Sequence, residues 1–406
     1  MKASASLSLA AKVLLGGFLL VGAIAIILRV AQGLRVTHLS SITPWGLWVI
    51  LYIYFVGLSA GAFLLSSLVY VFGQHNLEKV GRRALFLAVL SMVVALTFIL
   101  LDLGHIERFW LTLRFWNTTS ILAWEVHFYM VYILLLLAEL YLAMRKDLVQ
   151  QREKRGLMGL IARLFTWNDD DLSEKSLERD RKLMRLLGIV GIPLAVIGVH
   201  GGTGTLFAVV KARPYWNTGL FPVIFILSAL VSGTAFLLVI QILTGKKKNE
   251  PEDLEISQAL AKFLAGFLLI DLGLEFYEFL IPLYSLRHEE MESLYTLFTG
   301  PLSFYFWVGQ ILLVFVLPLV LLYSSARHSS KALALAGVSV VLGIVAVRVN
   351  IVLPALLVPV LEGLPIGRYY PSLIEVLSSL GIISLGILLY IVGEYLLPLA
   401  PSDIKA

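Results

Sequence analysis

The chain has no cysteine, and only 15% of its 406 residues are charged. The first absence excludes disulfides, thiolate-held iron–sulfur clusters, a thiol nucleophile and haem attached through paired cysteines. The second excludes an ordinary soluble domain, in which roughly 25% of residues carry charge. Neither a P-loop nor a dinucleotide fingerprint occurs. The Gly-rich run His200-Gly-Gly-Thr-Gly-Thr205 lies in an apolar stretch with no lysine after it, so it is no phosphate cradle. What the chain does have is apolar residues, 59% of the total, and a mean hydropathy of +0.89. This is the composition of an all-α polytopic membrane protein. Its net charge of +5 reports loop composition rather than affinity for nucleic acid.

Apolar runs near 20 residues place ten spans, at 10–30, 46–72, 84–103, 121–143, 186–210, 219–242, 258–282, 302–323, 332–357 and 372–397. Lys2 and Lys12 give the first the look of a signal peptide, but it is too long and lacks a small-residue cleavage site before Arg29. We read it as a membrane anchor. Of the 32 Lys and Arg residues, 23 fall on one side and eight on the other, with Arg348 inside a span. The basic side is the cytoplasmic one. Both termini are therefore expected in the cytoplasm and the chain in the cell membrane. Residues 1–406 form one membrane domain, with a cytoplasmic loop at 144–185. Within that loop Leu157–Trp167 is apolar enough to lie on the membrane as an amphipathic helix, although a solvated connector is the simpler expectation. The run Lys246–Lys248 followed by acidic residues reads as a solvated turn.

Ionisable groups inside spans are costly and therefore candidates for function. Here nearly all share the outer half of the membrane: Asp102, Glu125, His127, His200, Asp271, Glu275, Glu278, Arg348 and Glu375. Asp271, Glu275 and Glu278 stand at i, i+4 and i+7, on one helical face, where they can relay protons; alternatively they neutralise Arg348. Arg348 is expected to pair with one of them. Glu125 and His127 are about 200° apart on a helix and cannot face one cavity. His127 and His200 lie at similar depths, which leaves axial ligation of one b-type haem open. His200 beside Gly201, Gly202 and Gly204, which allow close approach, otherwise reads as a hydrogen-bond donor to a carbonyl or as a core histidine. Aromatic residues crowd the outer interface, among them Trp45, Trp48, Phe109, Trp110, Trp116, Trp216 and Tyr369. They form a membrane belt and also suit a flat apolar ring ligand.

Several motifs carry a resemblance. They are Pro44-Trp-Gly-Leu-Trp48, Gly57-Leu-Ser-Ala-Gly61, Asp102-Leu-Gly104 with Arg108-Phe-Trp110, and Asn117-Thr-Thr-Ser120 leading to Glu125. His200-x-x-x-Gly204-x-Leu206, Pro214-x-Trp216 and Pro371-Ser-x-x-Glu375 complete the set. In this order the chain resembles the NrfD/polysulfide-reductase-type membrane subunits, within them the ten-span branch of HybB, DsrP and HmcC. Where that wider family often continues Asp-x-Gly with Arg-Pro, this chain has His105-Ile106. The resemblance implies two four-helix bundles with two accessory spans. It also implies a haem-free, non-autonomous subunit of a respiratory oxidoreductase that binds menaquinone or ubiquinone. Electrons would pass to or from an extracytoplasmic, ferredoxin-like iron–sulfur subunit, one of several subunits in a membrane redox complex. Glu125 and His200, then Asp102 and Glu375, map onto the quinone site, with Gly204 and Trp48 beside them. Asp271, Glu275, Glu278 and Arg348 would form the proton route. A secondary transporter or ion channel and a one-haem cytochrome b are the competing readings.

The topology is directly testable. Reporter fusions after Lys182 should read cytoplasmic, and fusions near Arg213 or Arg287 external. An external reading at Lys182 inverts the assignment of sides.

Overall fold

The computed structural model describes residues 8–400 apart from 75–76, 168, 246–250, 286 and 362. The Lys246–Lys248 turn and both chain ends thus lie outside the described residues. Among the described residues there is no strand. The helices run α1 (Leu9–Gln32), α2 (Leu47–Tyr70), α3 (Glu78–Asp102), α4 (Leu111–Arg114), α5 (Ile121–Gln151), α6 (Leu157–Phe165) and α7 (Glu174–Pro193). They continue with α8 (Gly201–Ala208), α9 (Phe221–Thr244), α10 (Pro251–Ser285), α11 (His288–Phe298), α12 (Leu317–Tyr323), α13 (Ser330–Leu357) and α14 (Leu373–Leu396). Among the described residues nine helical units are long and apolar enough to cross a membrane. The protein is a multi-pass membrane protein. The expected span 258–282 lies in α10, which is not one of the nine. That helix has the length, at 35 residues, but Lys262, Asp271, Glu275 and Glu278 interrupt its apolar surface.

A helix apolar on every side belongs in the interior, and α2 is buried along almost its whole length. It packs on α3, α9 and α13. The approach to α9 is made by two glycines. A Cβ on Gly61 would stand 1.9 Å from the Ala229 carbonyl oxygen, and one on Gly233 2.4 Å from the Gly61 carbonyl carbon. Only hydrogen fits at this crossing, as in other small-residue contacts between membrane helices. Gly22 and Gly381 join α1 to α14 in the same way, with a Cβ on Gly22 falling 2.4 Å from Gly381 Cα. The pair α1 and α14 then leans on α3. One group of spans is thus α2, α3, α5 and α7–α8, a second is α9, α10, residues 305–323 and α13, and α1 with α14 stands outside both.

Prolines shape three of the spans. Pro193 precedes a π-helical stretch, Leu194–His200, and Pro318 follows another, Tyr305–Val316. A missing N–H breaks the i→i−4 ladder at such points. In α13 the ring of Pro354 likewise deprives the Asn350 carbonyl of its helical donor. The Tyr215 hydroxyl donates to that oxygen instead, at 3.1 Å. Trp216 Nε1 donates to the next carbonyl, Ile351, at 2.7 Å.

The expected loop at 144–185 is shorter than its apolar pattern suggests. Helix α5 runs on to Gln151, α7 begins at Glu174, and α6 fills much of the gap. Leu157, Leu160, Leu164 and Phe165 of α6 are exposed, while Gly159 and Ala162 are buried. This is the amphipathic helix that the sequence allowed. Arg145 ties the segment together. It is fully buried and donates to Asp180 Oδ2 at 2.5 Å, Asp169 Oδ1 at 2.8 Å and Ser176 Oγ at 2.8 Å. It also donates to the Asp171 carbonyl at 3.1 Å. Helix α5 continues past the apolar run because these acceptors satisfy the guanidinium there. Arg145→Leu leaves Asp180 buried without its hydrogen-bonded cation, with only Arg179 3.9 Å from its other oxygen, a loss of about 3 kcal/mol. The purified variant should unfold at a lower temperature and be cut faster by protease between residues 152 and 173. An unchanged unfolding midpoint would remove Arg145 from this role.

Candidate functional site

A cavity of about 310 Å³ opens where α3 finishes and α5 begins, at the outer end in the orientation read from the sequence. Trp45 and Val49 line it at the start of α2, Leu96, Ile99 and Leu100 on α3, Val126 and Met130 on α5, and Leu206 and Phe207 on α8. Phe109, Thr112 and Leu113, from the short segment that includes α4, close it from outside. Trp45 is held by a stacked contact with Trp216, ring centroids 5.4 Å apart. Against this apolar wall stand few polar side chains: Asp102, Thr112, Tyr52 and Tyr129.

Behind the tyrosines lies Glu125. The Tyr52 and Tyr129 hydroxyls are 2.5 Å apart, and Tyr129 donates to Glu125 Oε1 at 2.5 Å. The Thr203 hydroxyl lies 2.5 Å from the same oxygen. Glu125 is buried, and among the described residues its Oε2 has no hydrogen-bond partner. The carboxylate does not line the cavity but is joined to it through two phenols. Tyr129 follows Glu125 by four residues, so helical spacing puts them on one face. Neither tyrosine nor Thr203 was singled out by sequence, since a tyrosine inside an apolar span reads as core.

Asp102 lines the cavity directly, and its Oδ1 has no hydrogen-bond partner. Arg29 of α1, buried, lies nearby and donates to the carbonyls of Leu101 at 2.9 Å and Leu103 at 2.5 Å. It thereby caps the end of α3 that carries Asp102. Sequence reasoning had counted Arg29 only as a loop charge.

The other expected site residues are elsewhere. Trp48 points away from the cavity, with Nε1 donating to Ser378 Oγ at 3.1 Å. Glu375 closes a capping box with Ser372 at the start of α14. Its Oε2 accepts from the N–H groups of His38 at 3.2 Å and Ser372 at 2.9 Å. Its Oε1 accepts from the Tyr369 hydroxyl at 2.6 Å. Burial, and then the Glu375 carboxylate, push the Tyr369 phenol above its ordinary range, which keeps it a donor. Gly204 lets its helix approach α9 closely, since a Cβ there would lie 2.7 Å from Pro222 Cα. His127 sits outside the bundle interior, with Nδ1 2.7 Å from the Ala123 carbonyl oxygen and its ring stacked on Trp116 at 4.3 Å.

His200 belongs to a second polar assembly on the far side of α2. A Cβ on Gly57 would stand 3.2 Å from His200 Cε1 and 3.3 Å from Arg348 Nη2, so the two side chains meet across this glycine. Neither ring nitrogen of His200 has a hydrogen-bond partner among the described residues. Arg348, fully buried, donates to Ser228 Oγ at 3.0 Å and lies 5.0 Å from the Phe225 ring centroid. Among the described residues it makes no ion pair within hydrogen-bonding distance, unlike the expected pairing; Nη2 bonds Ser228, while Nε and Nη1 have no hydrogen-bond partner there. Asp271 and Glu275 are buried on the inward face of α10, and their charge reaches Arg348. Glu278 is half-buried on the same stripe, directly after exposed Phe276 and Tyr277. Gln310 Nε2 donates to Glu275 Oε2 at 2.8 Å, and Asn350 Nδ2 donates to Gln310 Oε1 at 2.7 Å.

Known proteins resemble this chain over most of its length. A selenate reductase subunit from Mesobacillus selenatarsenatis is 43% identical, covering 93% of this chain and 91% of that protein. The Hdr-like menaquinol oxidoreductase integral membrane subunit of Archaeoglobus fulgidus is 26% identical, covering 90% and 87%. A polysulfide reductase polypeptide from Wolinella succinogenes is 26% identical, covering 75% and 92%. Residues 35–360, which include the cavity, the Glu125 cluster and the Arg348 assembly, match the family described as polysulphide reductase, NrfD, and the chain belongs to that family.

Proposed function

We propose that this protein is the quinone-binding membrane subunit of a respiratory oxidoreductase complex and that its cavity receives the quinone ring. The observation that carries this reading is an apolar cavity whose few polar groups lead, phenol by phenol, to a buried carboxylate. Its volume of about 310 Å³ is at the lower end for small-molecule sites, and suits a ring whose isoprenoid tail leaves toward lipid. Relatives named for selenate reductase, polysulfide reductase and menaquinol oxidoreductase support it. A bound quinone supplies two-electron, two-proton chemistry. Free of cysteine, the protein cannot hold a thiolate-ligated cluster, so the electrons would cross to an iron–sulfur partner. The segment over the cavity, with Phe109 and Leu113 beneath and Arg108, Trp110 and Arg114 exposed, is the surface nearest to such a partner.

The chain's own contribution is to move the proton. A proton delivered at the Tyr52 hydroxyl shifts the Tyr52 proton to Tyr129 and the Tyr129 proton to Glu125 Oε1. Reduction of a quinone runs the relay backward. Asp102 offers a second carboxylate at the cavity wall. The buried stripe Asp271, Glu275 and Glu278, with Arg348 and His200, lies beyond α2 and serves as a separate proton route. With both termini cytoplasmic in the cell membrane, the cavity lies toward the outer face.

Glu125→Gln is nearly isosteric and cannot ionise. It should leave accumulation and complex assembly intact and cut quinone-dependent electron transfer at least tenfold, about 1.4 kcal/mol of barrier. Tyr129→Phe, which removes the middle hydroxyl of the relay and keeps an ionisable carboxylate held by Thr203, should act in the same direction. Dyes that reduce the partner directly should be unaffected. Normal quinone turnover in both variants would sink the reading of this cavity.

The second route has its own test. Asp271→Asn or Glu275→Gln should slow quinone-linked turnover while the protein still accumulates. If Asp271→Asn instead abolishes accumulation and Arg348→Leu restores it, the stripe is a structural charge network.

A further inference from the structure

A second hollow, of about 300 Å³, lies toward the opposite end of α10 from its acidic stripe, between α10 and the turn that follows α12. Lys262 enters it from α10 and Arg327 from the turn, and both are exposed. No carboxylate is among its lining residues, and among the described residues neither cation has an ion-pair partner. Two cations facing one hollow repel each other unless an anion lies between them. The turn is tied to α10 through His328 Nδ1, 3.3 Å from the Gln258 side-chain nitrogen, so the cations are held by an ordered frame.

The floor of the hollow is apolar, formed by Ala265 and Leu322, and that choice of residues decides the kind of anion. Leu269 follows Lys262 by seven residues and is exposed on the same face of α10. On the facing helix Val320 and Val316 precede the lining residue Tyr323 by three and seven positions and are exposed as well. The cations thus sit at the head of an apolar track running into the membrane. A site for a free anion needs no such track. A basic hollow between spans, on the side expected to be cytoplasmic, is where anionic headgroups bind.

We propose that Lys262 and Arg327 hold the phosphate of an anionic phospholipid, with its acyl chains on the track of Leu269, Val316 and Val320. The purified full-length protein, stripped of lipid, is titrated in native mass spectrometry with dioleoylphosphatidylglycerol, dioleoylphosphatidylcholine and inorganic phosphate. Phosphatidylglycerol should bind one site at least fivefold more tightly than phosphatidylcholine. Lys262→Gln with Arg327→Gln should remove that preference and leave phosphatidylcholine binding unchanged. If the double variant fails to accumulate, Arg327→Gln alone, at an exposed position, should still lower the preference at least twofold. Equal affinity for the two lipids, or an unchanged preference in the variants, overturns the proposal. Displacement of phosphatidylglycerol by an equal concentration of inorganic phosphate assigns the cations to a free anion and overturns it too.

Discussion

The backbone contact between Gly61 of α2 and Gly233 of α9 sets the distance between the two helix groups. Because no side chain stands between them, α2 can be the wall of both polar assemblies at once. Tyr52 on one face of α2 meets Tyr129. Gly57, five residues later and so about 140° around the helix, meets His200 and Arg348. A helix with a larger residue at position 61 would hold α9 away, and with it Ser228, which bonds the Arg348 guanidinium, and Phe225, whose ring faces it. A buried guanidinium stripped of such partners costs several kcal/mol. The glycine crossing is therefore a condition for keeping that charge in the membrane, as much as a packing detail.

The two assemblies differ in how their charge is handled. Near the cavity, Glu125 accepts from Tyr129 and Thr203 through one oxygen and leaves the other free. Beyond α2, among the described residues, both oxygens of Asp271 are without donors and Arg348 bonds only a serine. Glu375 marks the opposite limit, with three donors on its two oxygens. A carboxylate so fully engaged holds a helix end in place. One with a free buried oxygen can change its proton without dismantling a cap, and on the proposed reading that distinction separates Glu125 and Asp271 from Glu375.

How much of this was legible in the sequence follows from which physical signal each feature leaves. Spans are written as length and hydropathy, and the helices follow them closely. The inward face of Asp271 and Glu275 was legible because it depends only on helical period. Glu375 left a structural signal as well. Ser372-x-x-Glu375 is the capping-box pattern, which competes with the functional reading that any carboxylate near a span invites. The position of His200 was illegible for another reason. Pro193 starts a π stretch, so residues 194–200 do not keep the 100° step on which a helical projection relies. Tyr52 and Thr203 left no signal, since hydroxyls in apolar spans commonly bond their own helix or a neighbour.

The ends of the spans show the same logic from the side of energetics. Apolar length predicts where a helix can cross lipid, but a helix ends where its backbone and its charges stop being satisfied. Helix α5 continues eight residues beyond the predicted span end at 143, because Arg145 finds Asp180, Asp169, Ser176 and the Asp171 carbonyl. Helix α3 stops at Asp102, and Arg29 takes the carbonyls of Leu101 and Leu103 that the helix no longer uses. That same termination turns Asp102 into the cavity wall. The carboxylate of the cavity wall is therefore placed by an arginine on the first span, one that neither hydropathy nor charge counting could connect to it.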